Sequence, residues 1–427
     1  MLVTALVILM VLIAISIPIA AALGVLGLLM NQIFAGMPLH LAIGEIAWSN
    51  STEFLLIAIP LFVLLGEILL RAGITEKMYE GMVQWLSWLP GGLMHSNIGS
   101  SALFAATSGS SIATAATIGT VAVPQIHKRK YNERLFLGTI AAGGTLGILI
   151  PPSINLIIYG LLTDTSVPEL YLAGIFPGII LAMLFMATII LLCTINKEWG
   201  GEKVETSWKS RFLIIPSLGP PMLIFLLVVG SIYAGWATPT EAASLGVMGA
   251  LVLAGFNGTL TIDMLKNACE GAMRTTAMIM LIILAALFLN FVLATIGLTQ
   301  ALTTFISSLG LTPVQTMLLI IVFYIVLGCV METLSMLITT APLITPIVVG
   351  LGYDPVWFGI LLMVLLETAL ITPPIGVNLY VVHSVRKSGN MSDVIMGTLP
   401  FVGTMFFMAI MLLVFPQIAL WLPKLFY

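Results

Sequence analysis

One pattern of small polar residues and prolines occurs twice in this chain and restricts the folds available to it. The first copy covers 109–124 (GSSIATAATIGTVAVP) and the second covers 331–346 (METLSMLITTAPLITP). A Pro-Pro pair follows each copy, at Pro151-Pro152 and at Pro373-Pro374. The last proline of each copy and the Pro-Pro pair both recur after 222 residues (346 − 124 and 373 − 151). The spacing therefore predicts two halves built on a common plan.

The repeated stretches lie in a chain that is too apolar for a soluble protein. Of its 427 residues, 60% are hydrophobic and 8% are charged, whereas soluble proteins carry about 25% charged residues. The mean hydropathy is +1.16. Many apolar runs have the length of a helix that crosses a bilayer. These features predict an all-α polytopic membrane protein.

The small polar residues and prolines interrupt apolar runs that would otherwise form plain spans. Adjacent prolines remove two backbone donors and break a helix. In lipid, broken backbone is tolerated only where protein covers it or where it lines a watery cavity. A matched pair of breaks, one in each half, is the sequence pattern that points to the binding site of a secondary transporter.

The order of the segments predicts an inverted repeat with two re-entrant hairpins and two broken helices. The predicted parts are a first repeat over 1–196 with a hairpin at 93–124 and a broken helix at 135–162, a cytoplasmic linker over 197–211, and a second repeat over 212–427 with a hairpin at 313–346 and a broken helix at 357–385. Residues 1–30 form either one long span or two short ones broken at Pro18. Residues 261–274 are predicted to be a short charged connector before a span at 275–296.

Basic residues predict the orientation, because cytoplasmic loops carry an excess of Lys and Arg. If residues 1–30 form one span, 14 of the 15 basic residues fall in five loops on one side, and only Lys424 is left over. We expect those loops to be cytoplasmic. The first hairpin then opens to the cytoplasm and the second opens to the opposite face. A break at Pro18 would move the N-terminus outside.

Both hairpins combine hydroxyl side chains with unwound backbone, which suits Na⁺. Backbone carbonyls, Ser and Thr hydroxyls, and the C-terminal ends of half-helices favour such a cation. In the first half, Ser108, Ser110 and Ser111 meet the interrupted segment 147–151. In the second half, residues 328–335 meet 369–373, with hydroxyls that include Thr372. We predict one Na⁺ site in each half; the alternative is close packing of helices through small residues.

Two carboxylates lie at membrane depth, where a charge is costly and is a functional candidate. Glu332 either contacts substrate hydroxyls or makes a structural hydrogen bond at the second hairpin tip. Glu367 is either functional or braces the second broken helix. Asn155 either orients substrate or satisfies freed backbone. An anionic substrate would rely on helix N-termini, hydroxyls and bound Na⁺.

Enzyme chemistry has little support in the sequence. There is no metal-ligand cluster, no phosphate-binding loop and no Ser-His-Asp grouping at one membrane depth. We expect a protein that is not an enzyme, does not bind nucleic acid and draws on an ion gradient.

Four segments together resemble one family of transport proteins. They are SGSSIATAATIGTVAVP with GGTLGILIPPSIN in the first half, and ETLSMLITTAPLITP with ETALITPPIGVN in the second. They resemble the large membrane subunit (M, DctM-like) of tripartite ATP-independent periplasmic (TRAP) transporters. The resemblance extends over essentially the whole chain.

The resemblance implies a Na⁺-coupled importer of the ion-transporter-superfamily elevator type in the bacterial inner membrane. It implies a small membrane Q subunit as a separate polypeptide and a periplasmic substrate-binding P subunit. It assigns two or more Na⁺ sites and a substrate site to named residues: the first Na⁺ site to Ser108, Gly147, Ile150 and Pro151, the second to Gly328, Ala369 and Thr372, and substrate to Ser108, Ser110, Asn155 and Glu332.

The family implies a small organic acid as substrate, with sialic acid favoured and C4-dicarboxylates next. Three other functions are compatible with the sequence. A standalone Na⁺/carboxylate cotransporter would need no binding protein, and an ion channel would conduct Na⁺ without substrate. The third is a structural membrane partner without transport of its own.

Overall fold

The structure is a computed structural model that describes residues 1–202, 204, 206–386 and 388–427. Within these ranges its regular elements are helices, as the apolar runs predict. The α-helices are α1 (Leu2–Ala14), α2 (Ile19–Phe34), α3 (Ile43–Ser51), α4 (Ala58–Arg71), α5 (Ile74–Leu86), α6 (Leu93–Ser108), α7 (Ser111–Ala122), α8 (Gln125–Lys128), α9 (Glu133–Leu149), α10 (Ile154–Thr163), α11 (Val167–Ile195), α12 (Trp208–Leu213), α13 (Ile215–Tyr233), α14 (Pro239–Phe256), α15 (Ile262–Thr295), α16 (Leu298–Ser308), α17 (Pro313–Gly328), α18 (Thr333–Gly350), α19 (Pro355–Ile371), α20 (Val377–Arg386), α21 (Met391–Val414), α22 (Gln417–Leu420) and α23 (Pro423–Phe426). Short 3₁₀ turns cover Leu39–Ala42, Phe54–Ile57 and Lys197–Gly200.

Several of these helices are long and apolar enough to cross a membrane. In the described part of the chain there are seven, or eight when α9 and α10, which meet at an angle of 41°, count as one broken span. The protein is therefore a multi-pass membrane protein. Two of the basic residues used above for orientation, Lys203 and Lys387, lie outside the described residues.

The N-terminal apolar run is divided into two helices. Helix α1 ends at Ala14 and α2 begins at Ile19, directly after Pro18. Ser16 between them has a positive φ of 59°. Residues 1–30 are therefore broken at Pro18, and both helices are shorter than those counted as possible spans above.

The predicted connector at 261–274 is wrong. Helix α15 runs without interruption from Ile262 to Thr295, 34 residues, or about 51 Å at 1.5 Å per residue. Thr261 caps it by accepting a hydrogen bond from the Met264 amide at 3.1 Å. Charge does not end a helix, since Lys, Glu and Arg are good helix formers.

The core of the molecule contains the two helices that precede the Pro-Pro pairs. Helix α9 packs against α6, α7, α19 and α21, and its residues from Leu135 to Leu149 are all buried. Helix α19 is buried from Val356 to Ile371. Polar interruptions at their ends therefore lie inside protein, as the cost of broken backbone in lipid requires.

A second group of helices packs beside this core. Helix α4 packs against α14 and α15, α14 packs against α13, and α15 packs against α2. The Thr240 hydroxyl at the start of α14 donates to the Phe54 carbonyl at 3.2 Å. This group, formed by α2, α4, α13, α14 and α15, is called the lateral group below.

Candidate cation and substrate site

The first hairpin tip is a two-residue connection between helices. Helix α6 ends at Ser108, and Gly109 has a left-handed φ of +60°, which glycine adopts readily at helix ends. Ser110 caps α7 by accepting a hydrogen bond from the Ala113 amide at 3.4 Å. The tip of the predicted hairpin 93–124 thus consists of Gly109 and Ser110.

The first tip lies directly against the first helix break. A Cβ added at Gly147 would stand 2.6 Å from the carbonyl carbon of Ser110, and one added at Gly109 would stand 2.7 Å from the Pro152 oxygen. The Ser111 hydroxyl donates to the Thr145 carbonyl at 3.2 Å. The structure therefore brings together the serines and the interrupted segment that the sequence paired.

Two helix C-termini meet at this first contact. Helix α6 ends at Ser108, which is buried, and α9 ends at Leu149, with Ile150 as its C-cap before Pro151. The last carbonyls of a helix lack intrahelical donors and carry partial negative charge. The Ser108 hydroxyl lies 3.2 Å from the hydroxyl of Thr114, a neighbour that the sequence did not indicate.

The second half repeats this arrangement. Helix α17 ends at Gly328, where an added Cβ would lie 2.5 Å from the Cβ of Ala369. Ala369 lies in the last turn of α19, whose C-cap is Thr372. The Thr372 hydroxyl donates to the Thr368 carbonyl at 2.7 Å. A second pair of helix C-termini therefore meets, and the contact between them leaves no space for a side chain at Gly328.

The Glu332 side chain is hydrogen-bonded to residues of the helix that follows it. Its carboxylate accepts hydrogen bonds from the Ser335 amide at 3.1 Å, the Ser335 hydroxyl at 3.2 Å and the Thr333 hydroxyl at 3.0 Å. Glu332 is thus the N-cap of α18, as Ser110 is of α7, and the two residues are 222 apart (332 − 110). The side chain remains half-buried at the tip.

Helix N-termini lie on the other side of each tip and break. Helix α7 follows the first tip, and α10 begins after Ser153. The buried Ser153 hydroxyl and the Asn155 Nδ2 have no hydrogen-bond partner among the described residues. The equivalent side chain in the second half, Asn378, donates to the Ala141 carbonyl at 3.3 Å. A serine directly before a helix is a common N-cap signal, but the Ser153 side chain makes no cap hydrogen bond to α10.

Glu367 is the most deeply buried carboxylate of the site. It lies on α19, two residues before Ala369, and is 0% exposed. Neither of its carboxyl oxygens has a hydrogen-bond partner within the described ranges. Its carboxylate nevertheless faces the backbone of Ile148 and Leu149 at the end of α9, so a bracing role would act on the first helix break as well as on α19.

The fold and the paired polar breaks define a polytopic helical membrane protein with interrupted backbone at its core. The family model described as "Tripartite ATP-independent periplasmic transporter, DctM component" matches residues 6–418. The chain therefore belongs to the TRAP transporter large permease (DctM) family.

Named relatives align with most of the chain. The C4-dicarboxylate TRAP transporter large permease protein DctM of Vibrio cholerae is 31% identical, over 96% of this chain and 95% of the relative. The sialic acid TRAP transporter large permease protein SiaM of the same organism is also 31% identical, over 94% and 97%. The isethionate TRAP transporter permease protein DctMQ of Oleidesulfovibrio alaskensis is 31% identical over 88% of this chain but only 59% of the relative. These relatives are permeases.

A solved structure shares the fold at low sequence identity. The YdaH transporter of Alcanivorax borkumensis, described as having an unusual topology, superposes with a TM-score of 0.55. The sequences are 16% identical, and the match covers 88% of this chain and 90% of that one.

Proposed function

We propose that this chain is the translocating subunit of a Na⁺-coupled importer of a small organic acid. The observation that carries the proposal is the pair of contacts at which two helix C-termini meet, one in each half. Gly147 brings the end of α9 against the first tip, and Gly328 brings the end of α17 against Ala369. Carbonyls at helix ends stabilise a bound cation even where no charged side chain is present.

Residues at each contact have the oxygen chemistry that Na⁺ requires. In the first site the ligands would come from Ser108 and from the backbone of Gly147, Ile150 and Pro151. In the second they would come from Gly328, Ala369 and Thr372. The hydroxyls are neutral, and the carbonyls lie at helix ends, where intrahelical donors run out; the Ala369 carbonyl also accepts from the Thr372 amide at 3.4 Å. Na⁺ bound there would be transported with the substrate.

Substrate would bind between the two tips, beside the helix N-termini. Partial positive charge at these ends favours an anion. Ser108 and Ser110 offer hydroxyls, and the free Asn155 amide offers donors. Glu332 would accept from substrate hydroxyls. The Glu332 carboxylate would accept from the hydroxyls of a polyhydroxylated monoacid but would repel the second carboxylate of a dicarboxylate. We therefore favour sialic acid as substrate, with C4-dicarboxylates next.

The equal spacing of the two halves supports an inverted repeat and elevator transport. In this mechanism the hairpins and broken helices would move together against the lateral group. A small Q subunit and a periplasmic binding protein would complete the assembly in the bacterial inner membrane. The relative named as a DctMQ permease is consistent with such a small membrane partner.

The test is uptake of radiolabelled sialic acid into proteoliposomes that contain this chain, its small subunit and external binding protein, with and without a Na⁺ gradient. We expect Na⁺-dependent uptake that weakens in Ser108→Ala and Thr372→Ala. The matched controls are Ser231→Ala and Thr295→Ala, whose hydroxyls donate to helix carbonyls outside the site at 2.9 and 2.7 Å. Uptake indifferent to Na⁺ would contradict the proposal.

Other outcomes separate the alternatives. Na⁺-driven uptake of a dicarboxylate instead of sialic acid would keep the mechanism and change the substrate. Uptake without binding protein would indicate a standalone cotransporter. Na⁺ current that does not depend on substrate would indicate a channel.

A further inference from the structure

The first hairpin tip rests on a helix of the lateral group at a single glycine. Gly66 is the one glycine of α4. A Cβ added to it would lie 3.2 Å from the carbonyl oxygen of Ser108 and 3.5 Å from its Cα. Helix α4 is outside both hairpins and both broken helices. The end of α6 therefore contacts the backbone of an element that belongs to neither half of the proposed site.

The two residues that flank Gly66 pack α4 against α14 and α15. The Leu65 side chain fills the space over Gly246 on α14, where an added Cβ would lie 2.9 Å from its Cδ2. The Glu67 carboxylate lies over Gly271 on α15, at 2.7 Å by the same measure. Because Leu65 and Glu67 are packed against other helices of the lateral group, α4 cannot move away from the first tip. Any added volume at Gly66 would have to displace Ser108.

The contact involves a carbonyl at the end of α6. Ser108 is the last residue of that helix, so its carbonyl has no intrahelical donor. Ser108 is also a proposed ligand of the first Na⁺ site. A carbonyl oxygen held against a fixed helix keeps one position, which a cation cage requires.

We propose that Gly66 is a positioning residue for the first cation site. Its missing side chain lets the tip approach α4, and this approach holds the Ser108 end of α6 in the geometry that binds Na⁺. The proposal rests on the proposed Na⁺ site and adds a dependence on the lateral group. Cation affinity at the first site then changes when the tip leaves Gly66.

The position of the Gly66–Ser108 contact along α4 indicates in which state of the proposed elevator movement the contact forms. Gly66 lies about 8 Å along the helix axis from Arg71 and about 18 Å from Phe54, at 1.5 Å per residue. The tip therefore lies near the basic end of α4, which we expect to face the cytoplasm. Movement of the hairpin along α4 towards the other end would remove this support from Ser108. Na⁺ binding and hairpin position are coupled through the contact.

The test measures Na⁺ binding without transport. The full-length purified chain is unfolded by heat over a range of Na⁺ concentrations, with choline keeping the ionic strength constant, and the half-saturating Na⁺ concentration is taken from the rise in Tm. The variants are Gly66→Ala and Gly66→Leu. The matched controls are Gly230→Ala and Gly230→Leu on α13, where an added Cβ meets no described atom within 4 Å.

We expect the half-saturating Na⁺ concentration to rise about fivefold in Gly66→Ala and further in Gly66→Leu, because overpacking displaces the tip. The Gly230 variants should match the unaltered chain. If Gly66→Leu does not fold, Gly66→Ala still decides, since alanine is the best helix former and the Tm without Na⁺ reports its folding.

Two results would overturn the proposal in different ways. If Ser108→Ala raises the half-saturating concentration but the Gly66 variants do not, the first Na⁺ site stands and the positioning role is wrong. If neither Ser108→Ala nor the Gly66 variants have an effect, the proposed first site itself is wrong.

Discussion

At the scale of single residues, Gly147 determines whether the first tip can reach the first break. A Cβ there would lie 2.6–2.7 Å from three backbone atoms of Ser110 and Ser111. Backbone cannot rotate away as a flexible side chain can, so the tip would have to move. We expect Gly147→Ala to lower the free energy of unfolding by about 1–3 kcal/mol and to reduce Na⁺-dependent stabilisation to the share that the second site contributes.

The control for this prediction is Gly230→Ala, which makes the same chemical change at an open helical position. It should be neutral or slightly stabilising, since alanine favours helix over glycine by about 1 kcal/mol. Thermal unfolding of both variants, with and without Na⁺, measures the difference. Equal behaviour of the two variants would mean that the close approach at Gly147 does not matter.

Glu332 allows its structural and functional roles to be separated. Its carboxylate caps α18 through Ser335 and Thr333, and replacing an N-cap by alanine costs about 0.5–2 kcal/mol. We expect Glu332→Ala to lose that stability and Glu332→Gln, which keeps an acceptor oxygen, to retain most of it. If Glu332→Gln also leaves the KM for substrate unchanged in the uptake assay, the residue is a cap and not a substrate ligand.

The helix breaks could be predicted from the sequence because they depend on the local chemistry of single residues. Pro151 cannot donate a backbone hydrogen bond in any fold, which favours a break there, although the pair Pro220-Pro221 lies inside α13. The partner of Ser108 could not be predicted in this way. Thr114 and Gly66 reach it only through packing that depends on the whole arrangement of helices.

At the scale of elements, α9 and α21 cross with almost no space between their backbones. A Cβ added at Gly397 would overlap the Arg134 carbonyl oxygen, and one added at Gly138 would overlap the Gly397 carbonyl oxygen. We expect Gly397→Ala to force the helices apart and to lower Tm strongly, with a loss of more than about 3 kcal/mol. Gly403→Ala on the same helix meets no described atom within 4 Å and should leave Tm nearly unchanged. Similar Tm values for the two variants would contradict the close crossing.

Charged side chains reinforce this crossing at one end. Arg386 at the end of α20 donates to Glu133 at 2.8 Å and to Asp393 at 3.3 Å, and Arg134 donates to Asp393 at 2.9 Å. These contacts join the start of the first broken helix to the end of the second. The two broken helices are thus linked at their outer ends as well as through the core, which is consistent with their moving together.

Element boundaries were predictable where proline sets them and not where only charge suggested them. The interruptions after α9 and α19 fall at the Pro-Pro pairs. The connector expected at 261–274 became part of α15, because that stretch contains no proline and its residues favour helix. Arg274, whose side chain is 77% exposed, is accommodated on the surface and pairs with Glu270 one turn away.

At the scale of the whole molecule, the charge distribution makes a prediction that does not depend on the broken N-terminal run. Between the loop at Asp164 and the basic segment at Lys209 lies a single long helix, α11, of 29 residues. At about 44 Å it exceeds the roughly 30 Å of the hydrocarbon core. Asp164 and Lys209, both exposed, should therefore lie on opposite sides of the membrane.

The measurement uses single cysteines in a background without the native Cys193, Cys269 and Cys329. A membrane-impermeant maleimide should label Asp164→Cys in right-side-out vesicles, and Lys209→Cys only after permeabilisation, because basic loops remain cytoplasmic. The reverse pattern would keep the alternation of spans and invert the orientation, so that the tip contact at Gly66 would lie near the outer face. Labelling of both cysteines from one side would mean that α11 does not cross the membrane, and the opposed orientation of the two hairpins, on which an inverted repeat depends, would be lost.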